Sequence, residues 1–96
     1  MAMVIGICTL ELNIPTAASL KDKRQIVKSV IARLRNEFNV SVAEVDRLDS
    51  WQSAVVAVVT VSGDRDYAHA LMTRVALWVD RHRLDCDLVD YEIELI

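Results

Sequence analysis

Residues Ser19–Glu44 read SLKDKRQIVKSVIARLRNEFNVSVAE, and this stretch decides the fold. Ser19 followed three residues later by Asp22 has the S-x-x-D form of a capping box, a helix start. Leu20, Val27, Val30, Ile31, Leu34 and Phe38 then recur on one side at helical spacing. Asn39 offers a left-handed stop, and Val40 to about Asp46 reads as a short strand. An amphipathic helix thus turns directly into a strand. The same helix carries the chain's one concentration of Lys and Arg.

Working outward, Met3–Ile14 (MVIGICTLELNI) precedes the helix. Val4, Cys8, Leu10, Leu12 and Ile14 share one parity, and Thr9, Glu11 and Asn13 the other, as in a half-buried strand. Met3, Ile5 and Ile7 make the second face apolar at its beginning, and Pro15 ends the strand. After the helix and short strand, Arg47–Ser50 reads as a turn. WQSAVVAVVTVS at Trp51–Ser62 is a strand whose Ala54–Val59 segment is apolar on both faces. Ser62, Gly63 and Asp64 form a turn and cap. A second helix follows to about Arg83, with Leu71, Val75, Trp78 and Val79 inside. In the final strand, Leu88–Ile96, Val89, Tyr91, Ile93 and Leu95 point inward, and Asp90, Glu92 and Glu94 outward.

The order βαββαβ predicts an α+β, ferredoxin-like fold in one domain spanning residues 1–96. Right-handed crossovers and a central hairpin give a four-stranded antiparallel sheet of order 4-1-3-2, with both helices on one face. The other face stays open. Met3, Ile5, Ile7 and one parity of Ala54–Val59 then meet water unless a second copy covers them, so a homo-oligomer, first of all a homodimer, is expected through that face. A hydrophobic fraction of 53% in 96 residues agrees. The plainer alternative is a monomer with small exposed apolar residues.

A formal net charge of −3 excludes a general nucleic-acid coat, although charge can still segregate by face. Cys8 and Cys86 are far apart and opposite in expected facing, Cys8 toward the helices and Cys86 outward. They form neither a disulfide scaffold nor a metal or redox spacing. There is no signal-peptide pattern and no run long enough to span a bilayer, so the expectation is a cytoplasmic protein without membrane contact. No cofactor or metal is expected, and no nucleophile–base pair marks an enzyme. Glu44, Asp46 and Asp49 cluster at the hairpin but lack a calcium-loop pattern. His69 and His82 fall on different faces of one helix.

The candidate site is cationic. Lys21, Arg24, Lys28 and Arg35 occupy an arc of roughly 60° on the first helix, suited to phosphates; the plain reading is a solvated helix face. Lys23, by contrast, falls within the apolar stripe, where it must either reach past the core edge or meet a carboxylate. Trp51 at the hairpin either stacks on a base or closes one end of the core. The central strands carry Val, Ala and Ile rather than base-stacking aromatics, which directs any RNA to the helix and not to the sheet.

These residues resemble the YlxP-like bacterial proteins, grouped as a domain of unknown function. The likeness rests on Ser19-Leu20-Lys21-Asp22-Lys23-Arg24, Arg33-Leu34, Phe38-Asn39-Val40-Ser41-Val42-Ala43-Glu44, Asp49 and Trp51, and it covers essentially the whole chain. It implies a ferredoxin-like fold in a cytoplasmic bacterial protein with no established catalytic residues. The family's genes often neighbour those for translation initiation and ribosome maturation, which implies a role near RNA or a ribosomal component. The sequence therefore favours a non-enzymatic protein meeting RNA through Lys21, Arg24, Lys28 and Arg35, with Lys23 and Trp51 as lesser candidates. Its rival is a structural or regulatory oligomer that binds a protein or small metabolite at the subunit junction.

Overall fold

A computed structural model describes residues 2–82 and 85–96. The chain forms β1 (Val4–Asn13), α1 (Leu20–Glu37), β2 (Ser41–Asp46), β3 (Ser53–Ser62), α2 (Arg65–His82) and β4 (Asp87–Leu95). The sheet is antiparallel, in the order β2-β3-β1-β4, as the element pattern requires. The last residue expected in the second helix, Arg83, lies outside the described residues.

One parity of β1 (Cys8, Leu10, Leu12) and of β3 (Ala54, Val56, Val58) is buried under both helices. Val27, Val30 and Leu34 of α1 join Leu71, Met72, Val75 and Val79 of α2 in the same core. Gly6 faces α2, and a Cβ there would meet Met72 Cγ at 3.2 Å and Thr60 Cγ2 at 3.3 Å. Its missing side chain is what lets α2 lie against β1.

Both helix starts follow the sequence signals. Ser19 Oγ accepts the Asp22 amide at 3.1 Å, and Asp22 Oδ2 reaches back to the Ala18 amide at 3.1 Å. At α2, Asp64 Oδ1 accepts the amides of Asp66 and Tyr67. The exit from α1 differs from expectation. Phe38 caps it in extended geometry with φ −129°, and Asn39 is not left-handed. The reversal into β2 is made instead by a tight turn in which the Val40 amide donates to the Phe38 carbonyl at 3.0 Å. Among the described residues, the left-handed ones are Arg47, in the hairpin, and Asp85, before β4.

Two β-bulges also depart from simple alternation. One places Val45 between the paired residues Glu44 and Asp46; the other places Val89 between Leu88 and Asp90. In β4 the extra residue flips the parity upstream of it. Leu88 therefore pairs with Leu12 on the core side, while Val89 is exposed rather than inward. Tyr91, also expected inside, pairs with buried Leu10 but stays largely exposed at the sheet edge. Cys86 is likewise buried in the core and not outward, and both thiols are free. β3 starts at Ser53, two residues later than expected, leaving Trp51 in the hairpin.

Candidate functional site

α1 divides its cations between two environments. Lys21, Arg24 and Lys28 are exposed, and so is Arg35, whose Nη2 donates to the Val42 carbonyl at 3.4 Å. That contact places the stripe on the flank of α1 over the edge strand β2. Among the described residues, none of the four forms an ion pair. Arg33 lies round the other side, where it lines a groove with Trp78 and His82. His82 stacks on Trp78 at 4.3 Å and donates Nδ1–H to its carbonyl, and Trp78 meets Phe38 edge-on. Trp78 is thus half-buried at the core margin.

Lys23 has the opposite surroundings. It is 0% exposed and does not snorkel. Its ammonium donates to Glu44 Oε2 at 2.7 Å, and to the carbonyls of Arg47 (2.9 Å), Leu48 (3.2 Å) and Ser53 (3.4 Å). Removing an ammonium from water costs several kcal/mol, which only good geometry and further hydrogen bonds can offset. Four acceptors around three N–H bonds provide that compensation. The result is a clamp from the first turn of α1 onto the β2–β3 hairpin.

The clamp bears on three sequence expectations. Lys23 is buried and fully paired, apart from the exposed stripe. Glu44 does not join Asp46 and Asp49 in an oxygen cluster, because it turns inward to Lys23, while Asp46 Oδ1 accepts the Arg47 amide. Trp51 does not close the core; it is 57% exposed on the clamped hairpin, near exposed Leu48. Gln52 Nε2 further ties that hairpin to the carbonyls of Pro15 and Ala17. Arg47 bridges Glu11 and Ser53 Oγ.

The far side of the molecule has the other sign. A depression lined by Asp80, Asp85 and Asp87 with Pro15, Thr16, Cys86 and Leu88 is unsuited to an anion. Burial pushes the Cys8 thiol up to about 11, and burial with Asp87 and Asp85 does the same to Cys86. Neither thiol is a nucleophile near neutral pH. Among the described residues, no group of three metal-binding side chains converges, and no helix is long and apolar enough to cross a membrane.

These features define a class: a two-layer ferredoxin-like domain with one cationic helix flank and an uncovered sheet face. Residues 5–93 match the family described as "Protein of unknown function (DUF503)", and the chain belongs to that family. It is 35% identical over 77 residues to the "Uncharacterized protein YlxP" of Bacillus subtilis (strain 168), covering 80% of this chain and 84% of that one. The fold also matches the "De novo designed protein Foldit4", with TM-score 0.53 and 14% identity, over 98% of this chain and 96% of that one. That likeness concerns backbone architecture alone.

Proposed function

We propose that this protein is a non-enzymatic, cytoplasmic RNA-docking module, with Lys21, Arg24, Lys28 and Arg35 contacting the phosphate backbone. One observation carries the reading: four exposed cations share a flank of α1 and, among the described residues, form no ion pair. The one α1 cation that is neutralised, Lys23, is the one turned inward. Contacts of this kind position a strand on the protein without reading its bases.

The test is RNA binding followed by fluorescence anisotropy across a salt series. Four phosphate contacts to a single strand give a log–log slope of about −3, or ~60-fold weaker binding between 50 and 200 mM salt. Arg24→Glu combined with Lys28→Glu lowers affinity at least about tenfold at fixed salt. Binding that ignores both salt and the double variant defeats the proposal.

A further inference from the structure

We infer that the groove between α1 and α2 holds one unstacked base of a single-stranded RNA, seated on the Trp78–His82 pair with phosphates on Arg33 and Arg74. The inference rests on the RNA-docking reading and narrows it to strands with an unpaired base. Two hollows meet at this pair. One, of about 640 Å³, lies between the helices with Ser29, Arg33 and Asn36 on its walls. That volume is in the range of small-molecule sites. The other is walled by Phe38, Arg74, Leu77 and Arg81, and both share Glu37, Trp78 and His82.

The aromatic pair is a fixed platform. Exposed side chains ordinarily flip between rotamers. His82 is exposed, yet its ring stacks on Trp78 at 4.3 Å with 20° between the planes. Its Nδ1–H also donates to the Trp78 carbonyl at 2.8 Å, and Phe38 braces the indole edge-on at 6.1 Å. The indole covers one imidazole face, so the exposed area of His82 lies away from it, where a third ring can stack. Single-strand binders gain affinity from such stacking whatever the sequence. A duplex keeps its bases stacked on one another and has none to offer.

The charge around the platform complements phosphate. Arg33, Arg74 and Arg81 are exposed, and among the described residues none of them forms an ion pair. Glu37 is the one carboxylate among the described lining residues, and it stays unpaired although it follows Arg33 by four positions. Asp80, also on α2, lines the hollows on the other side, against β4. Arg81 and His82 lie in the last turn of α2, where cations offset the helix dipole. Arg33 and Arg74 lie outside the last turns, so the dipole does not account for them. Lys28 and Arg33, five positions apart on α1, lie roughly 13 Å from one another on the helix surface. One strand crossing the outward ridge of α1 thus meets both the cationic flank and the groove.

The test is fluorescence anisotropy of the intact chain with a labelled single-stranded RNA and with the matching blunt duplex. His82→Ala should weaken single-strand binding about tenfold, the scale of one lost stack, and leave the duplex unchanged. His82→Phe keeps a stacking ring and should restore most of that loss. The two added phosphate contacts steepen the single-strand salt slope from about −3 to about −4, and Arg33→Ala with Arg74→Ala should return it to about −3. A free nucleoside monophosphate, lacking the flank contacts, should compete only at concentrations far above those of the RNA. An equal loss on both RNA forms, or no loss from His82→Ala, overturns the inference and leaves the flank reading to stand or fall on Arg24→Glu with Lys28→Glu. Tight competition by the free nucleotide overturns it in favour of a small-molecule pocket.

Discussion

Lys23 and Arg24 are neighbours on one helix, yet they do different work. Lys23 points into the protein and gives its three N–H bonds to a carboxylate and the backbone of a distant hairpin. Arg24 points into water, and among the described residues it has no ionic partner. A rotation of 100° along α1 separates a cation spent on structure from one free to meet a ligand. A count of basic residues cannot tell them apart; burial and partners can.

The largest break in this comparison comes from Lys23 itself. Lys23→Met leaves Glu44 without its ammonium in a nearly closed site, and is expected to cost about 3–5 kcal/mol in urea unfolding. Adding Glu44→Leu should recover much of that loss, because the orphaned charge leaves with it. A single-variant cost under about 1 kcal/mol would place Lys23 with the exposed cations after all. Next comes Arg24→Glu with Lys28→Glu. Stability should stay within about 0.5 kcal/mol, since neither residue holds a buried partner. The affinity loss of tenfold, about 1.4 kcal/mol, belongs to RNA alone.

Ser19→Ala sharpens the contrast by about 1 kcal/mol, because the cap fixes where the helix begins and hence which cation faces inward. The thiols supply a test without mutation. Their folded values lie near 11, above the 9.0 of an ordinary exposed thiol, so below pH 9 both states are protonated and the burial is uncontested. As pH rises from 9 to 11, the unfolded chain releases protons that the folded chain keeps, and stability falls. Thermal unfolding across that range should show the decline, and Cys8→Ala with Cys86→Ala should flatten it.

Most of the architecture was legible because period and parity are properties of consecutive residues. The capping box, the α1 stripe, the alternation in β1 and the two-sided β3 led to the observed strand order. The bulges at Val45 and Val89 were not legible. A bulge is one extra residue whose place is set by pairing with another strand, and neither site carries glycine or another local mark. That single residue in β4 is also why Cys86 and Val89 exchanged their expected sides.

The site divides in the same way. The cationic flank could be read from the helical wheel, since exposure follows from phase. Lys23 was visible as an anomaly, but its partner was not. The missed signal was that Glu44 shares parity with Val42, the buried residue of β2. An inward lysine and an inward carboxylate answer one another, whereas Glu44 read alongside Asp46 and Asp49 looks like part of a turn. Trp51 remained undecided because a residue at a strand end can fall on either side of the boundary.

Hairpin tips usually fray on their own, ahead of the domain that bears them. Here the Arg47–Ser53 segment cannot lift away without stranding an ammonium inside the protein. Its opening is thereby tied to undocking of α1, so amide exchange in this loop should track unfolding of the whole chain. Through one side chain, a surface loop inherits the rigidity of the interior.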